Sequence, residues 1–274
     1  MDFKERYGPW VVVAGASEGT GRSFARQVAA KGLSCVLVAK HGPLEETAEE
    51  IRRESEVDVV TAKIDLAGDD AAAGIIAAVG GREVGLYISN AGADWAGERF
   101  LEHDIEDWLS LSHINVDTML RCAHHFGRAM KDRRRGGILL VNSGACYGGS
   151  KYLAIYCAAK AFQLNFAEGL WSELRVYGVD VLSIVLGRTD TPGYRQRRAD
   201  RGLIVGSAED EGLASAEDVA IQGLERLPFG PVHNVGLEDD DAMFGSSAAG
   251  RREKAVMLET IVMEGSGYKP ETDL

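Results

Sequence analysis

The chain has 274 residues, of which 45% are hydrophobic and 26% charged; these values are typical of globular proteins and exclude disordered and collagen-like chains. Its 30 lysines and arginines against 42 aspartates and glutamates give a formal net charge of −12, which argues against nucleic acid or an anionic membrane as the main partner. The length is compatible with one large domain or two small ones.

The four cysteines lack the spacing of a metal site or a redox pair. Cys35, Cys122, Cys146 and Cys157 include no CxxC pair and have no histidine at zinc-ligand spacing, so we expect buried, reduced thiols and no bound metal. The polar N-terminal segment lacks the apolar stretch of a signal peptide, and no apolar run approaches the ~18 residues of a membrane span. We therefore expect a cytoplasmic protein.

Short apolar runs rich in β-branched residues alternate along the chain with longer segments of helical periodicity. The runs predict six strands, over residues 10–16, 35–39, 59–65, 85–90, 137–143 and 179–186. The longer segments predict helices over residues 23–31, 44–55, 70–79, 104–131, 153–177 and 216–227. Because short connections join these elements, the pattern predicts one α/β domain over residues 1–274 with a doubly wound parallel sheet.

Two regions depart from this alternation. Residues 188–212 carry five arginines and little apolar periodicity, so we expect a mobile excursion from the sheet edge that serves as a substrate lid. Such a run is usually a solvated face, and the alternative is a clamp for a phosphate of the cofactor or substrate. Residues 236–274 form a C-terminal extension with a helix near 251–263 and an acidic run at 238–241, which lacks the ligand spacing of a calcium loop.

A glycine-rich turn stands between the first predicted strand and the first predicted helix. Gly15, Gly19 and Gly21, within AGASEGTG, allow a tight turn and the close approach of a pyrophosphate to backbone N–H groups at the positive end of a helix. The alternative is a turn that needs glycine only for packing helix against strand. The strand before it and the helix after it favour dinucleotide binding and a Rossmann-type sheet.

The Gly-xxx-Gly-x-Gly spacing resembles that of the short-chain dehydrogenase/reductase family, and further motifs follow in the family's order. Tyr156 and Lys160 reproduce its Tyr-xxx-Lys signature, Ser143 stands 13 residues before the tyrosine, and Asn115 matches the family's helix asparagine. Other matching segments are Asn90-Ala91-Gly92, Asp65-Leu66 and Leu186-Gly187-Arg188-Thr189-Asp190-Thr191. The resemblance covers roughly residues 9–230.

The resemblance implies a hydride-transferring enzyme with Asn115, Ser143, Tyr156 and Lys160 as its catalytic set. The cofactor-binding residues that it implies are Gly15, Ser17, Glu18, Gly19, Thr20, Gly21, Asp65, Leu66, Asn90, Ala91, Gly92, Tyr156, Lys160, Gly187, Thr189 and Thr191. The chain departs from the family pattern at Ala14, Thr20, Ser89 and Leu186, none of which is a catalytic position. These departures concern the geometry of cofactor binding and not the class of reaction.

Tyr156 and Lys160 are four residues apart and therefore face the same side of a helix. The pKa of a free tyrosine is about 10, and a nearby ammonium stabilises the phenolate and lowers that pKa. Tyr156 can then exchange a proton with a substrate oxygen while hydride moves, and Ser143 can hydrogen-bond the same oxygen. In the family the lysine also contacts the nicotinamide ribose, and the asparagine that Asn115 matches holds a water of the proton relay.

A second Tyr-xxx-Lys pair, Tyr147 and Lys151, has two glycines at its centre, which disfavour a helix there. Tyr147 lies where the family has its substrate-facing loop. We therefore expect it in the wall of the substrate pocket, together with Ser143, Ala145 and Tyr156.

The residues after the second predicted strand bear on the choice between NAD and NADP. Selection of NAD needs an acidic residue there to bind the ribose hydroxyls. The chain has Ala39-Lys40-His41, and a cation without a carboxylate favours the 2′-phosphate of NADP, so Lys40 is a candidate cofactor residue. Glu18 opposes this slightly. The resemblance is greatest to the 17β-hydroxysteroid dehydrogenase and 3-ketoacyl-CoA reductase branch, which tolerates an acid at that position and uses NADPH.

We therefore expect an NADP(H)-preferring oxidoreductase for a ketone and a secondary alcohol, with a steroid-like or fatty-acyl substrate implied by the branch. One alternative is an NAD-dependent alcohol dehydrogenase with the same residues. Another is a non-catalytic dinucleotide-binding sensor, against which the complete Ser-Tyr-Lys set argues. The expected partners are a small-molecule substrate and, as the family implies, further copies of the chain in a homodimer or homotetramer that pairs through helices 104–131 and 153–177.

Overall fold

The computed structural model describes residues 2–93, 96–204, 206–209 and 211–236, together with Met257, Thr260, Ile261 and Gly265. Met257, Thr260 and Ile261 are helical, in agreement with the helix predicted near 251–263. The acidic run at 238–241 and the other residues of that helix lie outside the described part of the chain.

The strands of the described residues are β1 (Trp10–Ala14), β2 (Ser34–Ala39), β3 (Val59–Lys63), β4 (Val84–Ser89), β5 (Gly136–Ser143), β6 (Val179–Leu186), β7 (Thr189–Asp190), β8 (Ala214–Ser215) and β9 (Val232–Asn234). Seven of them form a parallel sheet in the order β3-β2-β1-β4-β5-β6-β9, and β7 pairs with β8. The chain winds outward from β1 on one side and from β4 on the other, which confirms the doubly wound Rossmann-type sheet. The edge strand β9 was not predicted, because three residues are too few to show a pattern.

The helices are α1 (Phe3–Tyr7), α2 (Gly19–Ala30), α3 (Leu44–Glu54), α4 (Ala71–Val79), α5 (Ile105–Ser112), α6 (Met119–Arg133), α7 (Ala154–Leu174), α8 (Pro192–Asp200) and α9 (Ala216–Arg226). Helices α2, α3 and α9 cover one face of the sheet, and α4, α6 and α7 cover the other. Successive strand residues point to opposite faces, so Val11 and Val13 enter one core while Val12 and Ala14 enter the other. Burial on both faces explains the nearly continuous apolar strand sequences.

A π-helical segment, His113–Thr118, joins α5 to α6. The sequence predicts a single helix over 104–131, and the structure confirms a continuous helical stretch apart from this segment. A π-helical turn contains more residues than an α-helical one and is frequent at functional sites. Here the segment contains Asn115, one of the residues expected at the active site.

Residues 188–212 are more regular than the sequence predicts. The pair of β7 and β8 closes the base of the segment, and α8 lies between them with Thr191 as its N-cap and Pro192 in its first turn. Prediction missed α8 because the helix contains few apolar residues, although a capping threonine followed by proline is a typical helix start.

The arginines of this segment make ion pairs close to it in sequence. Arg195 Nη2 lies 2.9 Å from Asp190 Oδ2, and Arg188 and Arg198 lie 3.9 and 3.8 Å from the carboxylate of Glu211. Arg195–Asp190 joins α8 to β7, and Arg198–Glu211 joins α8 to the loop that follows it. Arg188, Arg195 and Arg198 are therefore paired with carboxylates, which does not favour a five-arginine phosphate clamp.

All four cysteines are buried free thiols, as the sequence predicts. Burial raises the pKa of Cys35 and of Cys146 to about 12, so both thiols are neutral. Within the part of the chain that the structure describes, no helix is long and apolar enough to cross a membrane.

Candidate active site

A cavity of about 450 Å³ lies at the carboxyl edge of the sheet, where open α/β sheets bind their ligands. The loops after β4, β5 and β6 line it, together with α7, α8 and Thr20 in the first turn of α2. Its wall includes Asn90, Ser143, Tyr156, Lys160 and Thr189. Residues that are far apart in the sequence therefore meet there because their strands end side by side.

The loop between β1 and α2 has the shape that a dinucleotide requires. Gly15 and Gly19 have φ angles of +87° and +53°, which favour glycine. A Cβ on Gly21 would lie 1.8 Å from the carbonyl oxygen of Gly15, so a side chain there would displace the loop. Glu18, at the N-cap of α2, makes no side-chain hydrogen bond to the first turn, whose N–H groups can bind phosphate oxygens. These residues fit a pyrophosphate.

Asn90, which follows β4, holds this loop in place. Its side-chain amide donates to the carbonyl of Gly15 at 2.9 Å, and its Oδ1 accepts from the hydroxyl of Thr20 at 2.6 Å. The backbone N–H of Ala91 donates to the carbonyl of Ala14 at 3.0 Å. Thr20 stands where the family has an aliphatic residue, and its bond to Asn90 gives the hydroxyl a structural role.

A second cavity, of about 320 Å³, lies beside the glycine loop at the ends of β2 and β3. Its lining residues include Gly15, Ser17, Glu18, Lys40, Asp65 and Leu66. Lys40 Nζ lies 2.6 Å from Asp65 Oδ2, and this hydrogen bond lowers the pKa of the Asp65 carboxyl. The expected cofactor residues at these strand ends therefore share one cavity.

Glu18 faces the beginning of α8. A Cβ on Gly193 would lie 3.1 Å from Glu18 Oε1 and 3.3 Å from the Nη1 atom of Arg197. The carboxylate of Glu18 and the guanidinium of Arg197 thus both lie close to Gly193. Thr191 adjoins Gly19 in the same way, since a Cβ on that glycine would lie 2.9 Å from Thr191 Cγ2. The start of α8 therefore packs directly on the glycine loop.

Ser143 and Tyr156 face the main cavity from β5 and α7. The Oγ of Ser143 accepts a hydrogen bond from the backbone N–H of Ala145 at 3.3 Å, so its own proton can be donated elsewhere. The preceding residue, Asn142, donates to the carbonyl of Lys160 at 3.1 Å and to the hydroxyl of Ser183 at 3.0 Å. The end of β5 is therefore anchored to both α7 and β6.

Lys160 lies one helical turn from Tyr156, and its Nζ is 5.6 Å from the centroid of the tyrosine ring. The residue is only 3% exposed. Its ammonium donates to the carbonyl of Val141 at 2.9 Å and to Oε1 of Gln163 at 3.1 Å. Burial lowers the pKa of Lys160 to about 7, because the charged form loses its water.

Asn115 is fully buried behind this pair. Its Nδ2 donates to the carbonyl of Leu111 at 2.9 Å, and its main-chain carbonyl accepts from Nε2 of Gln163 at 2.7 Å. Its Oδ1 has no hydrogen-bond partner among the described residues and lies 2.2 Å from where a Cβ of Gly92 would be. Glycine at position 92 therefore makes room for Asn115, which reaches Lys160 through Gln163.

A family model described as short chain dehydrogenase matches residues 9–202. The chain belongs to the short-chain dehydrogenase/reductase family. It is therefore an NAD(P)-dependent oxidoreductase, as the motifs predict. The glycine loop, the NAG segment and the Ser-Tyr-Lys residues all lie within the matched range.

Several relatives of this short-chain dehydrogenase are steroid or fatty-acyl enzymes. A 7beta-hydroxysteroid dehydrogenase of Collinsella aerofaciens is 32% identical over 193 residues, which cover 70% of this chain and 73% of the relative. A very-long-chain 3-oxoacyl-CoA reductase of Laccaria bicolor is 34% identical over 183 residues, which cover 65% of this chain and 54% of the relative. These relatives agree with the predicted resemblance to the hydroxysteroid dehydrogenase and ketoacyl-CoA reductase branch.

Solved structures of the family share the fold. A 7beta-hydroxysteroid dehydrogenase structure superposes with a TM-score of 0.81 at 27% identity, covering 97% of this chain and 100% of that one. A putative NAD(P) dependent gluconate 5-dehydrogenase from Beutenbergia cavernae with bound NADP has a TM-score of 0.73 at 25% identity, covering 84% of this chain and 95% of that one.

Most of the residues expected from the motifs line the two cavities; Gly19, Gly21, Asn115 and Tyr147 do not. Ala145, Gly187, Thr189 and Thr191 line the main cavity. Tyr147 is not among its lining residues, because its hydroxyl donates to Oδ1 of Asn234 on β9 at 2.8 Å. Asn115 is behind the cavity wall and not in it.

Other residues of the short-chain dehydrogenase enter the site without having been predicted. Tyr194 of α8 lines the main cavity, as do Met257 and Ile261. The hydroxyl oxygen of Tyr194 is buried and has no hydrogen-bond partner in the described chain. Gln163 was missed because no motif contains it; a polar side chain one turn after Lys160, on the buried face of α7, was the only signal.

The depressed pKa of Lys160 gives the stability of this dehydrogenase a defined pH dependence. Unfolding returns the lysine to a pKa of about 10.4, so between pH 7 and 10 the unfolded chain binds more protons than the folded one. The free energy of unfolding should therefore rise with pH across this window. Lys160→Met should remove a rise of about 1–2 kcal/mol between pH 7.5 and 9, measured by urea denaturation. Equal pH slopes in the two proteins would contradict the burial argument.

Proposed function

We propose that this short-chain dehydrogenase interconverts a ketone and a secondary alcohol, with NADP(H) as its cofactor and Tyr156 as the general acid–base. The observation that carries the proposal is the meeting of Ser143, Tyr156 and Lys160 in one cavity that reaches the glycine loop at Thr20. A sensor would require the glycine loop alone. It would have no use for a buried lysine beside a tyrosine.

A bound nicotinamide dinucleotide supplies hydride for reduction and accepts it in oxidation. In reduction, Tyr156 donates its hydroxyl proton to the substrate oxygen. Ser143 donates to the same oxygen, since its Oγ already accepts from Ala145, and stabilises the charge that develops there. The ammonium of Lys160 favours the phenolate that remains on Tyr156. In alcohol oxidation the proton moves from the substrate oxygen to Tyr156.

The preference for NADP(H) is supported by the cation at the end of β2. Lys40 lies in the cavity beside the glycine loop, where it is half-exposed and paired with Asp65. A 2′-phosphate there would gain a charge-assisted hydrogen bond from the lysine. Glu18 is the residue that argues against NADP in the sequence. Its carboxylate lies close to Gly193 and Arg197. That position moderates the repulsion of a phosphate, and the structurally similar Beutenbergia cavernae protein holds NADP.

The residues on the substrate side of the cavity favour a hydrophobic carbonyl substrate that carries a second polar group. Leu153, Leu186, Met257 and Ile261 give the wall its apolar character. The unpartnered hydroxyl of Tyr194 is the exception. A buried hydroxyl without a partner is costly, so a hydrogen-bonding group of the substrate at this point would be stabilising. A steroid or fatty-acyl thioester, the classes named in the relatives, has both features.

Three further expectations stay proposals. Segment 188–212 would act as the substrate lid, since α8 lines the main cavity and packs on the glycine loop. The chain would form a homodimer or homotetramer through its long helices, where Leu109 of α5 and Phe162 of α7 are exposed. The cytoplasmic location is supported by the four free cysteines.

The central test compares Tyr156→Phe with Tyr147→Phe. Both substitutions remove a tyrosine hydroxyl from a Tyr-xxx-Lys pair, but only Tyr156 faces the cavity. With NADPH and a panel of ketosteroids and 3-oxoacyl thioesters, Tyr156→Phe should lower kcat/KM about 10³-fold. Tyr147→Phe should change it less than about threefold. The oxidation of NADPH, followed at 340 nm, measures both rates. Equal losses of kcat/KM in the two variants would contradict the assignment of Tyr156 as the acid–base.

The cofactor proposal is tested by Lys40→Asp, with Lys63→Asp as control. Lys63 is exposed on the adjacent strand and outside the cofactor cavity, so it reports the effect of the charge change alone. Fluorescence titration should show NADPH binding weakened more than about tenfold by Lys40→Asp, with NADH binding maintained or improved. An unmodified protein that binds NADH as tightly as NADPH would support the NAD-dependent alternative.

Tyr194→Phe tests the polar contact of the substrate. The substitution keeps the ring and removes a single donor, so KM should rise about three- to tenfold while kcat changes little. The comparison uses the best substrate of the panel and an analogue without its remote polar group. An effect of equal size on both compounds would show that Tyr194 acts through packing.

A further inference from the structure

Among the described residues, the ammonium of Lys160 has two hydrogen-bond acceptors. One is the main-chain carbonyl of Val141, at 2.9 Å, which belongs to the strand β5. The other is the side chain of Gln163, at 3.1 Å, on the same helix as the lysine. Because Lys160 is almost completely buried, these two oxygens replace the water that an ammonium needs. Each therefore influences where the ammonium lies and how readily it stays protonated.

The orientation of the Gln163 amide follows from its second contact. Its Nε2 donates to the main-chain carbonyl of Asn115 at 2.7 Å. A reversed amide would place its oxygen against that carbonyl and its NH₂ group against the ammonium, so both contacts would become repulsive. The carbonyl of Asn115 thus determines that Gln163 presents an acceptor to Lys160. Gln163 is 2% exposed, so no bulk water competes for either contact.

We propose that Gln163 is a positioning residue, which holds the Lys160 ammonium beside Tyr156 and connects it through a side-chain amide to the main-chain carbonyl of Asn115. The inference rests on the proposed function in one respect, namely that Tyr156 is the acid–base. It extends that function to a residue outside the catalytic motifs. It also gives the π-helical segment a role, because that segment carries the carbonyl that orients the amide.

Removal of the amide acceptor should act on Tyr156 through Lys160. The phenolate of Tyr156 and the ammonium of Lys160 stabilise each other, so ionisation of the tyrosine favours the protonated lysine. Loss of an acceptor makes this charged pair less stable, so the pKa of Tyr156 should rise. Two titratable groups face Lys160: Tyr156 on α7 and Cys146 in the turn that follows β5. The contact from β5 itself is the uncharged main-chain carbonyl of Val141. Burial raises the pKa of Cys146 to about 12, so this thiol stays neutral below pH 11.

The experiment compares Gln163→Leu, Gln163→Ala and Asn165→Leu with the unmodified chain. Asn165 is the matched control, because it is exposed on the same helix and its amide donates to the helix carbonyl of Ala161. The ionisation of Tyr156 is measured from tyrosinate absorbance, as the difference between each protein and the same protein with Tyr156→Phe. No cofactor or substrate is added.

The order of effects in the two Gln163 variants decides between a positioning and a packing role. Gln163→Leu removes the acceptor and fills the space, and it should raise the pKa of Tyr156 by about one unit. Gln163→Ala leaves room for a water that can accept from Lys160, so the shift should be smaller. A packing role would reverse this order, because alanine leaves the larger void. Asn165→Leu should leave the titration unchanged.

Two outcomes would overturn the proposal: an unshifted titration in Gln163→Leu, or a larger shift in Gln163→Ala than in Gln163→Leu. Should Gln163→Leu be recovered unfolded, Gln163→Met replaces it with an unbranched apolar chain of similar length and the same expectation. The titration needs no turnover. A protein that reduces no carbonyl compound but shows the expected shifts would contradict the proposed function and support the role of Gln163.

Discussion

The active site depends on keeping a lysine ammonium in a place that water does not reach. Lys160 is buried beneath Tyr156, and its charged form is stabilised only by the oxygens that the fold brings to it. Those oxygens come from β5 and from α7, and the second of them is oriented by the helical stretch that contains Asn115. A shift of any of these elements would remove one of the two acceptors or the carbonyl that orients the second. The chemistry proposed for Tyr156 therefore requires the sheet, the helix and the π-helical segment to keep one fixed arrangement.

Two asparagines beside the site use their side-chain amides to join separate elements. Asn142 uses its amide to join the end of β5 to α7 and β6, and Asn90 uses its own to join the glycine loop to β4. Buried amides of this kind stabilise only when their donors and acceptors are matched. Among the described residues near Ser143, Tyr156 and Lys160, Oδ1 of Asn115 and the hydroxyl of Tyr194 are buried without a hydrogen-bond partner. In the proposed function, the hydroxyl of Tyr194 binds a polar group of the substrate.

At the cofactor end the balance of charge is different, because the groups there are exposed to solvent. Lys40 and Asp65 form an ion pair across two strand ends, while Glu18 faces the start of α8 near Arg197. Exposed pairs of this kind contribute little to folding and can exchange partners at little cost when a phosphate arrives. The glycine loop, by contrast, is shaped by backbone contacts that allow no side chain. In the proposed function, the glycine loop supplies the affinity for a dinucleotide and the exposed charges of Lys40 and Asp65 supply the preference between dinucleotides.

Much of this protein could be predicted from its residues. Apolar runs of strand length, alternating with helical periodicity, determined a doubly wound sheet, because each run must be buried on both faces. The motifs determined the family and placed Ser143, Tyr156 and Lys160 together, since spacing along a helix and the ends of parallel strands are local properties. Only the tertiary structure decided that the hydroxyl of Tyr147 bonds to Asn234 and that Gln163 joins Lys160 to Asn115. It also decided that α8 forms in the arginine-rich segment and packs on the glycine loop. These are contacts between elements distant in sequence, or between side chains with several possible partners, and they depend on where the whole fold brings each group.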